Sequence, residues 1–231
     1  MKNLTKKRLN KNKNKNKNKN KNKNKTKQKN KTRKIGGSTI YDGSADMIAD
    51  QIKKTNDTYD GKPFFRKLYP KKIKSDDTRH IEKQIVEILM KNPHKNIVTF
   101  YDVNNRYLDM EELDSPHSNT EFYDNFKDET PIIKKVMIEV KDFLQKLGIM
   151  YIDWKFDNIA KGKDGNYKLF DFDASGIVDL YTNKWKVKPP KYWSFGTAKK
   201  RHCKTPKEID DWSFRYNILE EEDFVCPTNG V

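Results

Sequence analysis

Carboxylates, an amide and lysines gather late in this chain at spacings that suit phosphate chemistry. Tyr151-Ile152-Asp153-Trp154-Lys155-Phe156-Asp157-Asn158-Ile159 is followed shortly by Lys168-Leu169-Phe170-Asp171-Phe172-Asp173. Phosphoryl transfer leaves a protein little covalent work. It asks for carboxylates to hold Mg²⁺, a cation for the phosphates and a base to orient the nucleophile. An Asp, an Asn five residues on, and a further Asp beyond a short hairpin bring such groups from adjacent loops. Asp is short, hard and anionic, which suits a Mg²⁺ ion that keeps substrate phosphates in its shell.

Those loops need elements to position them. Thr130 reads as a helix cap with Pro131 in the first turn. Ile132, Ile133, Val136, Met137, Val140, Phe143, Leu144 and Leu147 then recur at helical spacing up to Gly148. A second helix follows Ser75-Asp76-Asp77-Thr78 and runs to about Lys91, with Ile81, Ile85, Ile88 and Leu89 as its inner stripe. Pro63 to Tyr69 reads as a strand before that helix. Asn96 to Tyr101 and Arg106 to Met110 read as a pair of strands after it. Strands dominate the first half and helices the second, which predicts a bilobal α+β protein.

In this order the residues resemble the protein kinase superfamily. Asp153 to Asn158 is similar to the family's catalytic loop, and Asp171-Phe172-Asp173 to its metal-binding Asp-Phe-Gly. The resemblance implies that Asp153 orients the acceptor hydroxyl, that Asn158 and Asp171 hold Mg²⁺, and that Lys155 neutralises charge on the γ-phosphate of ATP. Lys155 at that place is the serine/threonine pattern. Phe65-Arg66-Lys67 resembles the strand whose lysine, Lys67, pairs with the ATP phosphates. Its partner on the next helix should be Glu82, which shares a side with Val86 and Leu89, whereas Glu87 projects from the opposite face. Leu108 to Leu113 resembles the hinge, with Met110 near the gatekeeper position and Glu111 offering backbone groups to adenine. Asp210-Asp211-Trp212-Ser213-Phe214 resembles the buried helix that makes Asp210 a structural anchor. The Lys/Asn bias resembles compact giant-virus kinases.

The pattern also departs from the family. No Gly-x-Gly-x-x-Gly occurs; Ile35-Gly36-Gly37-Ser38 and Asp42-Gly43-Ser44 lie near its place, as a reduced phosphate-covering loop or as plain joints. Phe65 stands where a small residue is usual over adenine. Tyr151-Ile152 replaces His-Arg, which removes the cation that a phosphorylated activation loop would meet. Asp173 replaces the glycine, losing conformational freedom and adding a carboxylate. Pro189-Pro190-Lys191-Tyr192-Trp193 reads as a substrate platform or as plain packing. The chain ends soon after Asp210, so the expected C-lobe is truncated.

The formal charge of +16 suggests a nucleic-acid binder until it is located. Residues 1–34 hold 17 of the 49 Lys/Arg and no acid, which leaves 32 bases against 33 acids in the rest. That tail, nearly alternating Lys-Asn from Lys11 to Lys25, has nothing apolar to bury and should be disordered. It reads as a solvated low-complexity extension. Its sharper reading is a polyelectrolyte for RNA, DNA or an anionic surface, salt-sensitive and without base stacking. No stretch has the ~20 apolar residues of a membrane span, and no secretory core is present. Cys203 and Cys226 are too few for a disulfide framework, and a reducing, cytoplasmic setting is expected. His202 beside Cys203 is no metal spacing, so zinc is not expected. The acidic run Glu220 to Asp223 reads as a solvated end or as a contact for the tail.

The expected organisation is thus a tail (1–34), a kinase-like N-lobe (35–113) and a truncated C-lobe (114–231). The expected function is an ATP- and Mg²⁺-dependent phosphotransferase, foremost a serine/threonine protein kinase. The alternatives are a small-molecule phosphotransferase, for which Asp171-Phe172-Asp173 resembles antibiotic and choline kinases, and a pseudokinase scaffold. A tail-driven nucleic-acid or membrane binder is a further alternative.

Overall fold

The computed structural model describes residues 38–42, 53–55, 58–69, 79–114, 120–190 and 193–227. The two glycine segments near the start of the body, at residues 36–37 and 43–44, and the lysine-rich tail lie outside them.

The architecture is mixed α+β. Strands β1 (Ser38–Asp42), β2 (Lys53–Thr55), β3 (Phe64–Leu68), β4 (Phe100–Val103) and β5 (Tyr107–Glu111) form one sheet in the order β2-β1-β3-β5-β4. Its pairings are antiparallel except that β1 runs parallel to β3. Between β3 and β4 lies helix α1 (Arg79–Lys91). Its inner stripe is as expected: Ile81, Ile85 and Leu89 are buried, while Ile88 is half-buried.

Helix α2 (Thr120–Lys146) is longer than its hydrophobic stripe suggested. Pro131 sits inside it rather than at its first turn, and Thr130 does not cap it. Proline removes one helical hydrogen bond; Pro131 is exposed, so the carbonyl one turn earlier can turn to water. Ile133, Met137, Val140 and Leu144 are buried, but Ile132 points outward, 58% exposed. Gly148 then takes a left-handed φ of 75°, and the chain reverses into β6 (Ile149–Met150).

Beyond β6 come a 3-10 turn (Phe156–Asn158), the hairpin β7 (Ile159–Lys161) and β8 (Tyr167–Leu169), and the hairpin β9 (Gly176–Asp179) and β10 (Lys184–Val187). Strands β6, β9 and β10 form a three-stranded antiparallel sheet. Gly176 is required there: a Cβ would fall 2.6 Å from the Trp185 ring and 2.7 Å from Pro189. Helices α3 (Trp193–Lys200) and α4 (Pro206–Asn217) close the fold. Thr205 and Glu208 form a reciprocal capping box at the start of α4, with Pro206 in its first turn.

The core has a large cluster of α1, α2, Trp154, Phe172 and Phe214. A second cluster packs Met150, Ile152 and Val178 on Trp212, Cys203 and Cys226. The two cysteines are joined as a disulfide, a single bond and not a framework. Their separation of 23 residues carries no spacing signal; it is the fold of the segment after α4 that brings them together. The acidic run is solvated as expected, all four residues being exposed, and two of them also pair: Glu220 with Lys134 at 2.6 Å and Glu221 with Arg215 at 2.7 Å.

Among the described residues no helix is long and apolar enough to cross a membrane.

Candidate active site

Lys67 lies on β3, and its ammonium gathers three carboxylates. Nζ is 2.9 Å from Glu82 Oε1, 3.0 Å from Asp171 Oδ1 and 3.7 Å from Asp173 Oδ2. Glu82 is in the first turn of α1 and only 2% exposed. Glu87 is 49% exposed and faces Lys83 at 3.9 Å, away from Lys67. Burial works against the charge on Lys67, but Asp171, Glu82 and Asp173 overcome it and hold its pKa well above the lysine value. Burial first, and then the neighbouring Asp171, push the Asp173 carboxyl up to about 6, against the pull of Lys67.

The second group sits on the loop after β6. Asp153 Oδ2 accepts from Lys155 Nζ at 2.7 Å and from Asn158 Nδ2 at 3.1 Å. The same Asn158 amide donates to the Asp153 carbonyl at 3.0 Å, so loop and side chain lock each other. Burial lowers the Lys155 pKa, but the hydrogen bond and charge of Asp153 outweigh it and raise it. Asn158 is buried, and its carbonyl accepts from Phe170 N–H at 3.0 Å, one residue before Asp171.

Asp210 holds this loop from beneath. Its Oδ1 accepts from Ile152 N–H at 3.0 Å and Trp154 Nε1 at 2.8 Å, and its Oδ2 from Gln145 Nε2 at 2.9 Å. Ser213 donates to the Ile152 carbonyl. Ile152 needs that grip, because its φ of 66° is rare for a β-branched residue and costs on the order of 1–3 kcal/mol. Asp171, with φ 62°, is the second left-handed residue of the site.

Several contributors carried no sequence signal. The Tyr151 hydroxyl donates to the Phe170 carbonyl at 2.5 Å, and its ring packs edge-on against Phe172. Thus the tyrosine that stands before Ile152 shapes the approach to Asp171. Gln145 is an unmarked α2 residue, yet it joins Asp210 to Asp211. Lys168, buried on β8, pairs with Glu111 at 2.7 Å and Asp164 at 3.1 Å.

The two residues expected at the hinge, Met110 and Glu111, make contacts within the protein. Glu111 N–H donates to the Thr99 carbonyl at 2.8 Å, so this donor is committed within the protein rather than offered to a base. The Glu111 carboxylate accepts from Thr99 N–H at 2.6 Å and from Lys168. Met110 is buried with Tyr69, Val86, Val98 and Leu108, and Phe65 packs at the edge of this cluster. Pro189 is buried, while Lys191 and Tyr192 lie outside the described residues.

The chain matches no protein-family model and no curated protein.

Among the described residues no group of three or more His, Cys, Asp or Glu has the arrangement of a metal site. The side-chain oxygens of Asp171 and Asn158 are hard donors and come from only two residues. That suits an ion completing its shell with phosphate and water better than an all-protein cage.

Proposed function

We propose that this chain is an ATP-dependent phosphotransferase, foremost a serine/threonine protein kinase. The observation that carries it is Lys67, braced by buried Glu82 and set 3.0 Å from Asp171. A lysine oriented between a helix glutamate and a loop aspartate can take nucleotide phosphates, with Asp171 and Asn158 holding Mg²⁺ beside them. The ion supplies neutralisation of the phosphate charge. Asp153, fixed through Lys155 and Asn158, orients an acceptor hydroxyl and receives its proton. Lys155, 44% exposed, faces the transferred group.

A small-molecule acceptor is the second reading. Asp173, within 3.7 Å of Lys67, adds a negative charge that a flexible glycine at that place would lack. A pseudokinase scaffold is the third, favoured by the committed N–H of Glu111. An ATP-rich cytoplasmic location, in the host of a giant virus, belongs to the proposal, and the disulfide then requires an oxidising step in the life of the chain. The tail, with 17 cations in 34 residues, is proposed to hold RNA or another polyanion non-specifically.

Calorimetry of Mg²⁺-ATP binding to the full chain, beside Asp171→Asn, tests the core of this. Metal-dependent binding is expected for the first and loss of about tenfold or more for the second. Metal-independent binding that is equal in both would reduce the signal to the tail. No binding at millimolar nucleotide would leave the pseudokinase.

A further inference from the structure

Away from Lys67 and Asp153, a cavity of about 420 Å³ opens where α2, β6, β9 and α4 meet. Its apolar wall is Met150, Val178 and Leu180; Gln145, Lys146 and Lys207 supply polar groups at its edge. Apolar surface does not stop at the mouth. Leu180 is 60% exposed and Tyr181 is fully exposed, both at the β9–β10 turn.

That turn is held in shape. Asp179 Oδ1 accepts from Tyr181 N–H at 3.0 Å, Thr182 N–H at 2.9 Å and the Thr182 hydroxyl at 3.1 Å. Leu180 lies over Gly148, where a Cβ would meet its side chain at 3.7 Å and the Val178 carbonyl at 3.0 Å. A pre-shaped apolar knob loses little entropy on being covered. A soluble protein seldom leaves such a patch beside a cavity without use for it.

The charge at the edge decides what covers it. Lys146 and Lys207 form no ion pair with any described residue. The one acid of the lining, Asp142, lies 3.8 Å from Lys141 Nζ, and Lys141 is itself bonded to Asp211 at 2.8 Å. Two unpaired cations around an apolar floor complement carboxylates flanking an apolar side chain.

We infer that this surface docks a partner protein through an acidic segment with a leucine-like side chain, the side chain entering the cavity and the carboxylates meeting Lys146 and Lys207. A small molecule would fill the cavity yet leave Tyr181 in water, which favours a peptide. The site touches the loop chemistry at one point. Gln145, on its edge, is the amide bonded to Asp210, which carries the Ile152–Trp154 turn. The docking surface does not depend on phosphotransfer, and either can fail alone.

The test is fluorescence polarisation with the full chain at physiological salt. The probe is a fluorescein-labelled peptide with a central leucine between two Glu-Asp pairs. Two controls carry serine for the leucine, or lysines for the acids. The leucine peptide should bind about tenfold or more tightly than either control. Leu180→Asp should abolish that preference, and because Leu180 is exposed this variant should keep its unfolding midpoint. The double variant Lys146→Glu, Lys207→Glu should bind the lysine-bearing peptide instead of the acidic one. Equal binding of leucine and serine peptides would assign the signal to the lysine-rich tail and overturn the inference. Absence of binding, or indifference to all three substitutions, would overturn it as well.

Discussion

Asp210 and the pair Asp171 and Asp173 are all withdrawn from water, but they are compensated differently. Asp210, fully buried, receives three hydrogen bonds from neutral groups and pairs with no cation among the described residues. Burial still raises its pKa against the pull of those bonds. Asp171 and Asp173 remain about a third exposed and share one ammonium with Glu82, three negative charges around one positive. A carboxylate answered entirely by backbone, indole and amide donors holds a shape. Carboxylates that outnumber their cation leave a net negative charge beside it. On the proposed function, the same residue type then does architectural work on one side of the Asp153 loop and chemical work on the other.

The contrast is sharpest in what removal should cost. Asp210→Ala would strand the Ile152 N–H and the Trp154 indole in the core, so a loss of about 3–5 kcal/mol is expected in urea denaturation. A loss below about 1 kcal/mol would mean that water replaces the carboxylate, and the architectural role would go. Next comes the staple on the same side: Cys203→Ser, opening a 23-residue loop, should cost about 3 kcal/mol. A non-reducing mass that does not rise on reduction would show that the bond does not form. On the chemical side, Glu82→Ala should cost about 1–2 kcal/mol, because Lys67 keeps two other partners. Glu87→Ala should stay within about 0.5 kcal/mol; the reverse order would separate Glu82 from the lysine.

One further effect should be a gain. The Asp173 carboxyl is raised from 3.8 to about 6 in the folded chain, so the fold binds that proton more tightly than the unfolded chain does. Ionised Asp173 therefore costs stability, fully above pH 6 and not at all below about 4. Asp173→Asn should stabilise the protein by on the order of 1 kcal/mol at pH 7, after discounting for solvent, and lose that advantage at pH 4. Destabilisation at pH 7 would show that Asp173 is held by Lys67 more than it is repelled by Asp171.

Much of the site was legible because helical period and motif order are local properties. Glu82 falls on the inner face with Ile85, Val86 and Leu89, and Glu87 does not; that follows from 3.6 residues per turn. Asp153 and Asn158 lie close in sequence and meet through one turn. What escaped is set by distant partners. Glu111 is captured by Lys168, 57 residues away, and Asp173 by Lys67 on the distant strand β3. The cysteines meet only through the fold after α4. The start of α2 was hidden because Thr130-Pro131 imitates a helix beginning, and an exposed interior proline is tolerated there. The left-handed backbone at Ile152 breaks local preference and is held by Asp210 and Ser213.

One modest joint bears on how such a site is braced. Leu169 gives its N–H to the Asn96 carbonyl at 2.9 Å and takes the Val98 N–H at 3.0 Å. The Asn96 amide adds a bond to the Tyr167 carbonyl at 2.8 Å. The connector behind α1 is thus spliced to the strand that leads into Asp171. Glu82 and Asp171 are therefore tied into one braced body through this connector, and Lys67 reaches both from a separate strand.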